Sequence, residues 1–156
     1  MYLDRDIDDR MSRTRLRPLP SGRMHPREVL AFGLLLATGA TFLLARYVNV
    51  LTAALALGGF YSYVFLYTRW LKRSTPQNIV IGGAAGPFPP LVGWAAVTGT
   101  VDLMAVYLFL IVFYWTPPHF WALALNKQRD YGRAGVPMAP LVWGGEETKR
   151  QMLWYT

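Results

Sequence analysis

The chain has 156 residues, of which 53% are apolar and 15% aromatic, and its formal net charge at pH 7 is +7. A soluble basic domain distributes Lys and Arg among short apolar stripes, whereas here the apolar residues form unbroken blocks, which argues against a soluble protein. The chain contains no cysteine, so disulfides and thiolate metal sites are excluded.

Four apolar segments are candidates for membrane spans: 29–45, 48–68, 79–98 and 103–125. A helix needs about 20 residues to cross a hydrocarbon core of about 30 Å. None of the four contains Asp, Glu, Lys or Arg, and none shows the polar face that a core helix of a soluble protein would need. The sequence therefore predicts an all-α membrane protein, a polytopic helix bundle with about four complete spans.

The charged residues predict the orientation of the bundle. Every Lys and Arg except Arg46 lies in the first loop (1–28), in the segment 69–78, or after residue 125. Because basic loops stay in the cytoplasm, we expect an integral membrane protein whose first loop and second loop (126–148) face the cytoplasm. Residues 149–156 are expected to begin a further helix.

Asp4 and Asp8 in the first loop are four residues apart, so on a helix they would share one face. Two carboxylates can bind Mg²⁺ together with water and substrate phosphates. The alternative is a charged loop held by surface ion pairs, which is the commoner outcome for such a run. Asp6 and Asp9 lie on other faces, where we expect them to be solvated or paired with Arg.

The third span contains a cluster of residues that disfavour a continuous helix. Its glycines permit close helix approach, whereas its prolines remove backbone donors and should break or kink the helix: Gly82, Gly83, Gly86, Pro87, Pro89 and Pro90. Broken backbone at that depth is tolerated only against protein or a cavity. The alternative, small residues for packing alone, explains the glycines better than the prolines.

Two further groups carry candidate chemistry. His119 follows Pro118 in the fourth span, where an imidazole could ligate haem iron, move a proton or hydrogen-bond a neighbouring helix. In the second loop, Lys127 and Arg133 flank Asp130, and such bases could neutralise a leaving diphosphate while the acid helps to bind a metal. Anchoring at the membrane surface would also explain these bases, but it does not require Asp130.

Three strings resemble the haem O synthase branch of the UbiA-type intramembrane prenyltransferase superfamily: DRDIDDRMSRTRLRPL, YTRWLKRSTPQNIVIGGAAGPFPPLVGWAAVTG and WTPPHFWALALNKQRDYGRAGVPM. The resemblance implies about nine spans around a central cavity capped by two cytoplasmic loops. Family members are roughly twice as long, so residues 1–156 would form a single incomplete domain lacking two spans before Asp4 and about three after Thr156. An asparagine of the first acidic motif would precede Met1.

The resemblance also implies an activity, the transfer of farnesyl from farnesyl diphosphate to a vinyl group of haem b to form haem O. Asp4, Asp8 and Asp130 would be catalytic and hold Mg²⁺, while His119 and Tyr131 would contact haem or substrate. The bases expected to bind diphosphate are Arg5, Arg13, Arg17, Lys72, Lys127 and Arg133. The aromatics that could line the prenyl channel are Tyr63, Tyr67, Phe88, Trp94, Trp115 and Trp121.

The partners implied are farnesyl diphosphate, haem b and the lipid bilayer, with contact to haem A synthase or a terminal oxidase assembly and no nucleic acid.

Three alternative functions stay open. A related prenyltransferase could act on a quinone precursor or a tetrapyrrole ester. Half of a transporter could use the broken third span as a permeation path. A haem-binding membrane module could bind haem through His119 without releasing diphosphate.

Overall fold

The computed structural model describes residues 2–156, which fold into helices and connecting turns without any β-strand. Four helices are long and apolar enough to cross a membrane: Pro26–Tyr47, Val50–Ser74, Asn78–Thr98 and Leu103–Asn126. The predicted all-α membrane fold with four spans is therefore confirmed. The second span differs most from its expected range, because its helix continues six residues past residue 68.

Polar capping residues explain where three spans begin. His25 and Glu28 form a capping box at the start of the first span, with Pro26 in its first turn. The Asn49 side chain accepts a hydrogen bond from the Thr52 amide, and that of Asp102 accepts from two amides of the fourth span. These residues satisfy backbone donors that a helix leaves free at its N-terminus, so the helix starts there and not at the first apolar residue.

Within residues 2–156, consecutive spans pack against each other, and the second span is the only one that the first contacts. No residue of the first span is buried, and large apolar side chains such as Phe32, Leu35 and Phe42 are exposed. Away from the loops, the Asn49 amide group donates to the Ala95 carbonyl at 2.8 Å, which joins the second span to the third. The extensive exposed apolar surface is of the kind that a bilayer covers.

The third span is broken, as its prolines predict. Its two helical halves are Asn78–Gly83 and Phe88–Thr98, and the residues between them form turns. Pro89 and Pro90 fall in the first turn of the second half, where a missing amide hydrogen costs little. The glycines also permit close packing, since a side chain on Gly82 would overlap the ring of Tyr67.

The second span is π-helical over Ser62–Leu71. The sequence did not predict this feature, because apolar periodicity does not separate an α-helix from a π-helix. Wide turns of this kind are rare and occur most often at functional sites. Here the segment carries Tyr63 and Tyr67 and leads directly into Lys72.

Four short helices cover the ends of the spans on the side where the loops lie, which we call the loop side. They are Arg5–Arg10, Gln128–Ala134, Ala139–Val142 and Gly145–Leu153, so the last begins earlier than residue 149. Ile7 and Met11, four residues apart, insert one face of the first-loop helix into a core that includes Trp121 and Val136. This packing fixes the position of the acidic residues on the same short helix.

Candidate functional site

Asp4 and Asp8 occupy successive turns at the start of the first-loop helix, as their spacing predicts. The Asp8 amide donates to the Asp4 carbonyl at 2.7 Å, which closes one helical turn between them. Their side chains are only 14% and 5% exposed, respectively. Burial of two carboxylates is costly unless they have charged partners.

Each of the two aspartates has a basic partner. Lys72 Nζ lies 2.7 Å from one oxygen of Asp4, and Arg17 Nη1 lies 3.1 Å from both oxygens of Asp8. The Thr14 hydroxyl, also buried, donates to the Asp8 carbonyl at 2.8 Å and folds the loop back on itself. The ion pairs expected as the alternative to a metal site are therefore present in the structure.

The second oxygen of Asp4 differs from the others. Asp4 Oδ1 is buried and has no hydrogen-bond partner among the described residues, and Arg73 Nη2 lies 4.0 Å from it. Residues 2–156 contain no group of three or more His, Cys, Asp or Glu side chains placed to hold a metal ion. The site thus offers a free carboxylate oxygen but no metal cage built from protein alone.

Arg73 pairs with Asp6 and was missed as a site residue. Its guanidinium donates to both oxygens of Asp6, at 2.6 and 2.7 Å, and to the Leu3 carbonyl at 2.7 Å. The hydrogen bond from Arg73 lowers the pKa of Asp6 from 3.8 to about 2. The expectation that Asp6 pairs with an arginine is confirmed, but nothing in the sequence identified which arginine.

The second loop joins the first through Asp130. Ser12 Oγ donates to both oxygens of Asp130, at 2.8 and 3.0 Å. The side-chain hydrogen bond from Ser12, then a bond from the Ser12 backbone and the charges of Arg133 and Lys127, lower the pKa of Asp130. Burial raises the pKa of the neighbouring Tyr131, while the nearby Arg13 opposes that shift. Asp130, Lys127, Arg133, Tyr131 and Arg13 are thus brought together.

Replacing Ser12 with alanine should raise the pKa of Asp130 toward its ordinary range, because the largest cause of the depression is removed. Any stabilisation from this carboxylate is present above its ordinary pKa and is lost as the pH falls through the lower folded value. Carbon-13 NMR titration of the carboxyl group measures the shift. Ser21→Ala, which removes only bonds to Arg17 and Pro18 carbonyls and one from Arg23, is the control and should leave Asp130 unchanged.

Two of the predicted site residues lie apart from these ion pairs. Arg5 is exposed, and its guanidinium carbon lies 5.2 Å from the centre of the Tyr2 ring. His119 stacks on Trp115, with ring centres 4.2 Å apart, and lies seven residues before Asn126, or about 10 Å along the helix. His119 is exposed on the fourth span and does not join the charged cluster.

An apolar cavity of about 340 Å³ lies between the second, third and fourth spans at the break in the third. Three of the expected channel aromatics line it: Tyr63, Tyr67 and Trp115. Trp121 does not, because it is 1% exposed and packs edge-on against Trp143 and Tyr155 in the loop-side core. The expectation for Trp121 is therefore wrong, since its ring fills the core that supports the loops.

Comparison with known proteins gives a consistent family. The model of the UbiA prenyltransferase family matches residues 1–156. A protoheme IX farnesyltransferase of Symbiobacterium thermophilum is 62% identical over 157 residues, covering 100% of this chain and 52% of the relative. The protoheme IX farnesyltransferase of Granulibacter bethesdensis is 56% identical over 156 residues, covering 100% of this chain and 49% of the relative.

A third relative, the protoheme IX farnesyltransferase of Roseiflexus sp. (strain RS-1), is 61% identical over 99% of this chain and 29% of its own length. The chain thus spans about half, or less, of the curated relatives it matches. No solved structure gives a significant match. With a family match along its whole length and four membrane-spanning helices, the chain belongs to the UbiA prenyltransferase family.

Proposed function

We propose that the chain belongs to an enzyme that transfers a farnesyl group from farnesyl diphosphate to a vinyl group of haem b, forming haem O and diphosphate. The observation that carries this proposal is the pairing of Asp4 with Lys72 at the loop-side end of the spans, with one Asp4 oxygen buried and free. The names of the relatives supply the substrates.

The acidic residues fit a Mg²⁺ ion that binds together with the substrate. Mg²⁺ is commonly bound by one or two carboxylates, several waters and substrate phosphates, and dedicated all-protein cages are unusual. The free Oδ1 of Asp4 suits such a site, with Asp8 on the adjoining turn and Asp130 on the facing loop. When bound, Mg²⁺ would neutralise negative charge on the leaving diphosphate.

The basic residues supply the remaining charge. Lys72 and Arg17 already lie against the two first-loop aspartates, so both are positioned to turn toward diphosphate oxygens that arrive there. Arg13, Lys127 and Arg133 would contribute from around Asp130, and Arg5 from the exposed side of the first-loop helix. Fixed positive charge of this kind stabilises negative charge as it develops in the transition state.

The carbon–oxygen bond of farnesyl diphosphate breaks with both electrons going to the diphosphate, which leaves an allylic cation. The rings of Tyr63, Tyr67 and Trp115 in the apolar cavity would shield this cation from water. The terminal vinyl carbon of haem b attacks it, and water captures the new cation beside the porphyrin ring and loses a proton, giving the hydroxyethylfarnesyl group. His119, beside Trp115, is the proposed haem contact.

We place the protein in the bacterial cytoplasmic membrane with both loops in the cytoplasm, because nearly all of its Lys and Arg residues lie on the loop side. We also propose contact with haem A synthase or a terminal oxidase assembly, which would receive the haem O. This contact is a prediction from the proposed activity alone.

The activity can be tested in a chimaera in which these 156 residues replace the matching segment of the Granulibacter bethesdensis relative. Expressed in a bacterium without its own haem O synthase, the chimaera should form haem O, measured by chromatography and mass spectrometry of extracted haems. Farnesylation of 4-hydroxybenzoate in place of haem b would overturn the proposed acceptor. Membrane-inserted chimaera that binds haem without releasing diphosphate would overturn the transferase assignment.

A further inference from the structure

Arg73 is not among the bases expected to bind diphosphate, yet it holds the chain on both sides of Asp4. It donates to the carbonyl of Leu3, just before Asp4, and to both oxygens of Asp6, two residues after it. Lys72, the preceding residue in the second span, binds Asp4 Oδ2. The end of the second span and the start of the first-loop helix are thus joined by two adjacent bases with different partners.

The Asp6–Arg73 pair is better suited to fixing geometry than to adding stability. The two side chains are 52% and 38% exposed, and exposed ion pairs usually contribute little to the free energy of folding. An arginine bound to a carboxylate through two parallel hydrogen bonds nevertheless fixes the relative orientation of both groups.

The distance from Arg73 to Asp4 shows that the Asp6–Arg73 pair leaves one Asp4 oxygen without a hydrogen bond. Arg73 Nη2 lies 4.0 Å from Asp4 Oδ1, which is too far for a hydrogen bond, because its donors are directed to Asp6 and Leu3. If Asp6 did not bind Arg73, the guanidinium could turn onto Asp4 and occupy the free oxygen.

We propose that Arg73 is a positioning residue: by binding Leu3 and Asp6 on either side of Asp4, it locks the first-loop helix to the second span and keeps Asp4 Oδ1 free for the cation-bound diphosphate. This inference rests on the proposed function, because the ligand it names is farnesyl diphosphate. It assigns Arg73 no contact with that ligand.

The test uses the chimaera described above with four variants: Arg73→Gln, Arg73→Lys, Asp6→Asn and the double variant Asp6→Asn/Arg73→Gln. Asp9→Asn is the matched control, because Asp9 is exposed on the same helix and has no ion pair among the described residues. Two quantities are measured in the presence of Mg²⁺. The first is the equilibrium binding of a non-hydrolysable farnesyl diphosphate analogue, and the second is the set of steady-state constants, kcat and KM, for haem O formation.

Arg73→Gln should weaken analogue binding and raise the KM for farnesyl diphosphate about tenfold, with the KM for haem b unchanged. Asp6→Asn should also weaken analogue binding. The double variant should bind no more weakly than Arg73→Gln, because both substitutions break the same Asp6–Arg73 pair. Arg73→Lys should not restore binding, since lysine keeps the charge but lacks the planar fork. Asp9→Asn should bind like the unmodified chimaera.

The opposite pattern identifies a direct contact and overturns the proposal. If Arg73 bound diphosphate itself, Arg73→Lys would restore affinity, and Asp6→Asn would leave it unchanged or improve it by releasing the arginine. The proposal would also be overturned if the loss of affinity in the double variant equalled the product of the losses in the two single variants. Failure of the proposed function is separate, because it appears as absent haem O from the unmodified chimaera, whereas analogue binding still reports on Arg73.

Discussion

Replacing Asp4 with asparagine is expected to reduce haem O formation by roughly 100- to 1,000-fold in the chimaera. The substitution removes the charge of a partly buried carboxylate whose Oδ1 has no hydrogen-bond partner among the described residues and whose Oδ2 binds Lys72. Under the proposed function, the cation that binds the diphosphate would lose a ligand, and Lys72 would lose the carboxylate that positions it. The rate of haem O formation at saturating farnesyl diphosphate measures the effect.

Asp9→Asn again provides the control for Asp4, because it changes an exposed carboxylate of the same helix and should leave turnover unchanged. Abundance in the membrane should be similar for both variants. Turnover of Asp4→Asn near that of the unmodified chimaera would contradict the assignment of Asp4.

Removing Mg²⁺ with a chelator should also abolish activity, and an unchanged rate would exclude the metal from the diphosphate site.

Replacing Gly82 with alanine is expected to destabilise the bundle and to reduce haem O formation about tenfold. The added Cβ would lie 2.9 Å from Cγ and 3.0 Å from Cβ of Tyr67, so either the ring must move into the apolar cavity or the spans must separate. Overpacking of this kind costs about 1–3 kcal/mol. The midpoint of thermal unfolding in detergent and the KM for both substrates measure the two consequences.

Gly93→Ala is the matched control for Gly82, because it lies in the other half of the same span and has no atom within 4 Å of the added Cβ. Alanine favours a helix more than glycine does, so this variant should be at least as stable as the unmodified protein. Equal unfolding midpoints for Gly82→Ala and Gly93→Ala would show that the close approach to Tyr67 does not constrain the bundle.

The sequence determined the features that depend on neighbouring residues. Long apolar runs gave the four spans, the helical spacing of Asp4 and Asp8 gave their successive turns, and the prolines at 87, 89 and 90 gave the break in the third span. Each of these three features follows from local backbone geometry or from solvation, so none of them depends on how the helices pack. The three family strings then indicated the chemistry.

Only the tertiary structure decided which charged and polar groups meet. Asp6 and Arg73 are 67 residues apart and Ser12 and Asp130 are 118 apart, and many other bases could have been their partners. Trp121 belongs to the loop-side core and not to the cavity, because packing of the loops covers that face of the fourth span. Such pairings depend on how whole helices dock and rotate against each other, which residue spacing within one helix does not specify.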